Sequence, residues 1–273
     1  MFPFARRACL VLGLVTTAAG LVAQAPTAPT PRLGQPGKDV LWLPSPPAMV
    51  ARMLDMAKVT REDLVIDLGS GDGRLVIAAA MRGARAVGIE YSTDLVALSE
   101  KNAAAQGVSD RATFIRSDLF DTDLSRATVV TMFLRDDLNL RLRPRLLDLT
   151  PGTRIVSNTF TMGDWEPDDT VTAERNCNNW CVAMMWIVPA KVDGTWRLLQ
   201  GDLRLSQSFQ MVTGTLRTGG GSVSVTNSRV HGNQITFTAG NARYVGRVSG
   251  RTMEGTVTAG GRSVKWSARR VAD

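Results

Sequence analysis

The chain has 273 residues, with three cysteines and a single histidine, and it carries a formal net charge of +7. This length allows one large domain or two small ones. Because His231 is the only histidine, the composition argues against a metal centre, and we predict none.

The first 25 residues are predicted to form a signal peptide. Arg6 and Arg7 supply the positive start, residues 9–22 are mostly apolar, and Ala23 and Ala25 fit a small-residue cleavage site. We therefore expect an exported chain, periplasmic or secreted, with no membrane-spanning segment beyond this one. A start codon placed too early in the sequence would instead leave the protein cytoplasmic.

Residues 26–37, rich in proline, threonine and alanine, are predicted to be an extended linker, and residues 38–190 to form an α/β domain. Strands are expected at residues 65–68, 86–89, 112–116, 127–134, 154–160 and 181–188. Helices are expected at residues 48–58, 75–81, 94–106 and 138–149. Because strands alternate with helices, we predict a doubly wound, mostly parallel sheet.

The last part of the chain, residues 191–273, is predicted to be a small all-β antiparallel domain, either a sandwich or a small barrel. Glycine turns separate its short strands, which are expected at residues 197–205, 209–217, 221–228, 234–239, 242–249, 252–258 and 263–269. The pattern contains no helix signal.

Charge divides along the same boundary. Residues 26–190 hold 18 Lys and Arg against 21 Asp and Glu, whereas residues 191–273 hold 12 against 4. A basic β-domain can contact an anionic surface, although an arginine-rich solvated surface explains the same excess. Few aromatic residues are present there for base stacking, so nucleic acid is not favoured as a partner.

A glycine loop follows the first predicted strand, and it is the strongest functional signal in the sequence. Gly69, Gly71 and Gly73 lack a Cβ, so the loop can adopt positive φ and a ligand can lie against its backbone. Asp67 precedes the loop. The G-x-G-x-G spacing differs from the G-x-G-x-x-G pattern of dinucleotide sites, and a carboxylate would repel a pyrophosphate.

Acids also end the next two strands, at Glu90 and Asp118. Open α/β sheets bind ligands at this carboxyl edge. An ionised Glu90 can accept hydrogen bonds from both hydroxyls of a ribose. Together, the loop and the three acids predict a crevice that binds a nucleoside.

These features resemble the Rossmann-like (class I) methyltransferases that use S-adenosylmethionine (SAM). The resemblance implies that SAM is the cofactor and that Asp67 faces its amino group. The residues that it implies for cofactor binding are Asp67, Gly69, Ser70, Gly71, Gly73, Glu90, Tyr91, Asp118 and Leu119.

Residues 133–144, which follow the fourth strand, contain no N-P-P-Y box, so methylation of an exocyclic base amine is disfavoured. Residues 38–190 resemble bacterial relatives of the lysine methyltransferase of the ATP synthase c-subunit, through the loop, residues 43–47 and residues 162–168. This resemblance implies a protein-lysine acceptor. A small-molecule acceptor stays open, as does an exported, non-catalytic binding protein that uses the β-domain.

A lysine acceptor must be neutral to attack a methyl group, so a proton acceptor is needed. The α/β domain has no histidine, and we therefore predict catalytic roles for Asp136, Asp137 and, as a hydrogen-bond acceptor, Asn139. Alternatively, the two acids simply begin the next helix, where they suit its dipole. Cys177 and Cys181 can form a short disulfide loop or stay free.

Overall fold

The structure is a computed structural model that describes residues 31–173, 177 and 179–271. The predicted signal peptide and the first residues of the predicted linker lie outside the described residues. The end of the linker is not extended, because Gly34 donates its N–H to Trp42 and Gly37 donates to Val40, both at 2.9 Å. Among the described residues, no helix is both long and apolar enough to cross a membrane.

Within the described residues, the α/β part contains seven strands and four helices. The strands are β1 Leu64–Leu68, β2 Arg85–Glu90, β3 Ala112–Arg116, β4 Val129–Met132, β5 Arg154–Asn158, β6 Asp169–Thr172 and β7 Val182–Ile187. The helices are α1 Pro47–Met56, α2 Arg74–Met81, α3 Thr93–Ala105 and α4 Asp136–Leu147.

These strands form one sheet in the order β3-β2-β1-β4-β5-β7-β6. Strands β1 to β5 are parallel, and β7 runs antiparallel to both β5 and β6. Helices α1 and α2 contribute to a core on one face, and Leu138, Leu142 and Leu146 of α4 to the core on the other. The expectation of a mostly parallel, Rossmann-like sheet is confirmed.

The last part of the chain forms a closed antiparallel barrel of eight strands. They are β8 Gly194–Leu198, β9 Gly201–Ser208, β10 Met211–Thr218, β11 Gly221–His231, β12 Gln234–Ala239, β13 Ala242–Ser249, β14 Thr252–Ala259 and β15 Arg262–Arg270. Side chains fill the interior, where Phe237 stacks on Tyr244 with ring centroids 4.5 Å apart. An eight-stranded barrel is just wide enough for such filling.

Two strand expectations were wrong. Residues 197–205 form two strands, because the chain turns at Leu199 and Gln200 between β8 and β9. The polar segment after β5 contains β6, which pairs with β7. The antiparallel domain itself was predicted, and of the two forms considered it is the barrel.

Several contacts join the barrel to the α/β part. Ala190 donates its N–H to the carbonyl of Gly232 at 2.8 Å. The Trp165 ring stacks on Phe209 with centroids 5.8 Å apart. Gln210 donates to the carbonyl of Glu166 at 2.7 Å, and Arg229 donates to Asp168 at 2.5 Å. The Asp168 side chain is only 4% exposed.

Two of the three arginines of α4 hold other segments of the chain in place. Arg145 donates to the carbonyls of Phe120 and Thr122, in the loop after β3. Arg143 donates to the carbonyl of Met162 at 2.8 Å, and its guanidinium lies over the Phe209 ring. Their charges are therefore used within the molecule and do not form a free basic surface.

The Arg229–Asp168 pair gives a stability prediction. Arg229→Ala leaves the buried Asp168 carboxylate with the Ile187 N–H as its one remaining donor among the described residues. We expect a loss of about 1–3 kcal/mol in the free energy of unfolding. Urea denaturation of the full chain measures it, with Arg247→Ala, on the exposed face of β13, as the matched control. An equal effect of both variants would contradict the assignment.

Candidate functional site

The order of the sheet reverses at β1, because the chain builds β2 and β3 on one side and then crosses to β4 on the other. Open α/β sheets bind ligands at such a switch point, outside the carboxyl ends of the strands. A cleft lies there, bordered by the glycine loop after β1, by Met132 at the end of β4, and by Phe133 and Leu134 after it.

The glycine loop adopts a conformation that suits glycine alone. Gly69, Gly71 and Gly73 have φ of 76°, 56° and 79°, all in the left-handed region. A Cβ on Gly73 would lie 2.7 Å from the Phe114 ring. Helix α3 supports the loop, since Ser99 donates its hydroxyl to the carbonyl of Gly71 at 2.8 Å.

Asp67, the penultimate residue of β1, carries a buried carboxyl, 6% exposed, that accepts a hydrogen bond from the Thr131 hydroxyl of β4 at 2.7 Å. Burial raises the pKa of Asp67 to about 7, and the nearby Glu90 and Asp72 charges add to the rise while the Thr131 bond opposes it. No cation faces this carboxylate among the described residues. The cleft therefore offers an acid that a bound cation would stabilise.

Glu90, at the end of β2, accepts the N–H groups of Gly71 at 3.0 Å and Ser92 at 2.9 Å, one on each carboxylate oxygen. It thereby ties the glycine loop to the start of α3. Each oxygen keeps a second lone pair for a ligand. Tyr91, the next residue, is half-exposed and also lines the cleft.

Asp118 lies at the far end of the cleft, where Lys38 donates to its carboxylate and the Phe120 N–H donates at 2.9 Å. The Lys38 hydrogen bond holds the pKa of Asp118 below its usual range. Leu119 adds an apolar wall. The structure thus brings every residue of the predicted cofactor set except Gly73 to the lining of one cleft, and Gly73 begins α2 beneath it.

The sequence reasoning missed the segment that covers this cleft. Residues 37–45, which we call the N-terminal arm, line the cleft together with the glycine loop. Trp42 of the arm lies so close to Gly71 that a Cβ there would be 2.6 Å from the indole nitrogen. Arg74 donates to the carbonyl of Ser45 at 2.8 Å and fixes the end of the arm. In the sequence, the one signal for this arm was Trp42, which stands just before a run of prolines.

Two buried polar atoms of the cleft, Trp42 Nε1 and Ser70 Oγ, have no hydrogen-bond partner among the described residues. Buried polar groups are almost always hydrogen-bonded in folded proteins. Trp42 Nε1 lies against Gly71 and Ser70 Oγ lies against Gly88 of β2, so both atoms are packed beneath the surface of the cleft.

The three predicted catalytic residues lie outside the cleft lining. Asp136 accepts the N–H of Thr161 at 2.6 Å, and Asp137 pairs with Arg135 at 3.0 Å. Asn139 is fully buried and donates to the carbonyl of Thr161 at 3.1 Å. Helix α4 begins at Asp136. These contacts are structural ones, and the catalytic roles stay predictions.

A second pocket adjoins the cleft and shares its Phe133 and arm residues. We call it the lateral pocket; it has a volume of about 470 Å³. Phe160 and Trp180 face Phe133 in it, with ring centroids 5.8 Å from the Phe133 ring. Trp180 lies in a loop that the Cys177–Cys181 disulfide closes, so the bridged alternative for the two cysteines is the one observed.

Comparison with known proteins adds an independent observation. Residues 67–169 match the family model of the ANTKMT methyltransferase domain. A protein-lysine N-methyltransferase of Saccharolobus islandicus is 41% identical over 138 residues, which is 50% of this chain and 86% of that protein. The human lysine N-methyltransferase of the ATP synthase c-subunit is 36% identical, over 48% of this chain and 58% of its own length.

A solved structure is also similar. It is described as an RNA methyltransferase from Salinibacter ruber in complex with S-adenosyl-L-homocysteine. It is 46% identical, covers 55% of this chain and 96% of its own, and superimposes with a TM-score of 0.52. None of these similarities extends over the whole chain.

The raised pKa of Asp67 predicts a pH dependence of stability. The folded chain keeps this proton up to about pH 7, whereas an unfolded aspartate loses it near pH 4. Its contribution to stability is thus complete below about pH 4 and is lost as the pH rises to about 7. Between about pH 4 and pH 7 the free energy of unfolding should fall by about 1.4 kcal/mol per pH unit, and above about pH 7 this contribution should level off. Asp67→Asn should remove this fall in denaturant titrations.

Asp63 and Asp118 do not disturb that measurement. Their pKa values are lowered, so their contributions are lost only as the pH falls through the acid range below the window. Exposed Asp110, substituted by asparagine, is the matched control. An unchanged slope in Asp67→Asn would contradict the assigned pKa.

Proposed function

Because this chain belongs to the family of SAM-dependent methyltransferases that includes the Saccharolobus islandicus protein-lysine N-methyltransferase, we propose that it methylates the side-chain amine of a lysine in a protein. The observation that carries this proposal is the cleft at the β1/β4 switch point, which opens beside an aromatic pocket. The cleft fits the cofactor, and the aromatic pocket beside it lies where an acceptor must approach.

The cleft fits SAM on three observations. The glycine loop leaves bare backbone against which a ligand can lie. Asp67 is a buried carboxylate that a cation would stabilise, and the amino acid part of SAM carries an ammonium. Glu90 keeps a lone pair on each carboxylate oxygen, which suits the two hydroxyls of a ribose. When bound, SAM supplies a methyl group on a sulfonium, which an amine can attack.

The residues of the cleft then have separate tasks. Asp67 pairs with the ammonium, and Glu90 accepts the ribose hydroxyls on the lone pairs that Gly71 and Ser92 leave free. Asp118, whose oxygens accept from Lys38 and from the Phe120 N–H, keeps a lone pair on each oxygen for a hydrogen bond from the base. By holding one reactant in a fixed position, these contacts convert a bimolecular step into a nearly unimolecular one.

RNA is the second candidate acceptor, because the similar Salinibacter ruber protein is described as an RNA methyltransferase. Two observations favour lysine. The curated relatives named here act on protein lysine, and the segment after β4 contains Phe133, Leu134 and Arg135 where base-amine methyltransferases carry their N-P-P-Y box.

We also propose that the chain is exported. The Cys177–Cys181 disulfide supports this location, because disulfides persist mainly in oxidising compartments. The signal peptide on which the proposal depends lies outside the described residues. A role of the basic barrel at an anionic surface remains a proposal on charge alone.

The cofactor site is tested by calorimetric titration of the full chain with SAM. We expect saturable binding that weakens roughly tenfold or more in Asp67→Asn, because one charge-assisted hydrogen bond is worth about 1.5–3 kcal/mol. The substitution keeps the acceptor for Thr131 and removes only the charge. Asp110→Asn is the control, and equal binding by all three proteins would refute the Asp67 assignment.

The acceptor is tested by supplying SAM with a labelled methyl group and scoring its transfer. The acceptors are the proteins of a membrane fraction, the same fraction after chemical blocking of its lysines, and total RNA. We expect label on protein that is lost on lysine blocking and in Asp67→Asn. Label on RNA instead would replace lysine with a base as the acceptor.

A further inference from the structure

The lateral pocket has features that suit an amine more than a base. Its aromatic rings form one wall, since Phe133 stacks on Phe160 at 29° and meets Trp180 edge-on at 62°. A base binds best between two parallel rings or flat on an open one. An ammonium needs only the face of a ring within about 6 Å, which one wall provides.

The charges of the pocket point the same way. Its two cationic side chains have partners, because Lys38 donates to Asp118 and Arg135 pairs with Asp137 at 3.0 Å. Asp39, on the arm, borders both the pocket and the cleft. Its nearest cation among the described residues is Lys38, at 4.0 Å. A carboxylate with so loose a partner attracts an incoming ammonium and repels a phosphate.

Trp180 is held in place although it is partly exposed. The residue is 37% exposed and has φ of 54°, a region that bulky side chains rarely adopt. The disulfide involves its neighbour, Cys181, so the loop that presents the indole is short and closed. Non-glycine residues in such conformations cluster at ligand sites.

We propose that the lateral pocket receives the acceptor lysine and that Trp180 determines its specificity. This inference depends on the proposed function and deepens it. The methylene stem lies against Phe133, Phe160 and Trp180, and the amine points along the shared edge at Phe133 into the cleft. Leu41 and Leu43 of the arm also line this pocket.

The reaction balances with the residues present. The lysine ammonium first loses a proton to the Asp39 carboxylate, from which it passes to water. The neutral nitrogen then forms a bond to the methyl carbon, while the bond from that carbon to sulfur breaks and its electron pair stays on sulfur. A methylated ammonium and an uncharged thioether result. Asp39 thus takes the role that the sequence assigned to Asp136 and Asp137.

The test follows the Trp180 indole N–H by NMR, in the full chain saturated with S-adenosylhomocysteine. The resonance is identified by its loss in Trp180→Phe. We expect it to shift and saturate with Nα-acetyl-lysine amide and to shift little with the norleucine analogue, which lacks the amine. No shift with the lysine probe, or equal shifts with both, would overturn the proposal, as would a shift with a short RNA alone.

Variants give an independent measurement. Trp180→Ala should raise the dissociation constant for the lysine probe roughly fivefold to tenfold. In this variant, binding is followed at the other NMR resonances that shift with the probe. Trp180→Phe should keep most of the affinity for the lysine probe. Asp39→Asn, as a single substitution, should lower that affinity. Leu199→Ala, on a fully exposed barrel turn, is the matched control. In kinetics, Trp180→Ala should raise KM for the protein acceptor more than it lowers kcat.

The two proposals fail in different ways. Calorimetry with SAM should give the same affinity for Trp180→Ala and for the unchanged chain. If the unchanged chain binds no SAM, the proposed function fails. If it binds SAM but Trp180→Ala leaves binding of the lysine probe unchanged, the assignment of the lateral pocket fails and the proposed function stands.

Discussion

A carboxylate buried without a cation is the constraint around which this molecule is organised. Asp67 is held inside the sheet by one hydroxyl, and burial raises its pKa to about 7. Such a group costs stability whenever it is ionised. The fold bears this cost at the one point where its strand order reverses, between β1 and β4. The glycine loop, Glu90 and the arm are arranged around that point. A cationic ligand bound there would therefore offset the cost of ionising Asp67.

The glycine loop and the acids at the strand ends were predictable because neighbouring residues carry the signal. Apolar runs followed by Asp67 and by Glu90 place both acids at one edge of a parallel sheet, whatever the rest of the chain does. The arm gave no such signal. Lys38 and Trp42 come from a proline-rich segment, and only the tertiary fold brings them over the loop.

The direction of side chains explains why the catalytic candidates are less well supported than the cofactor residues. Sequence shows that Asp136 and Asn139 follow a strand, but not which way their side chains point. In the structure Asn139 turns inward to hold the loop after β5, and Asp136 holds the same loop from outside. Closure of the barrel could not be predicted from the sequence either. Alternation predicts strands one by one, whereas the pairing of β8 with β15 joins the two ends of the domain.

Closure of the barrel also decides which backbone groups remain free for another chain. All eight of its strands are paired on both sides, so the barrel offers no edge to a neighbour. The only sheet edges among the described strands are β3 and β6. Strand β6 has four residues, mostly exposed and polar, and β3 ends in an exposed arginine. Short or charged edges resist intermolecular strand pairing. Although most of its strands are antiparallel, this protein is thus protected against the aggregation route that threatens β-rich chains.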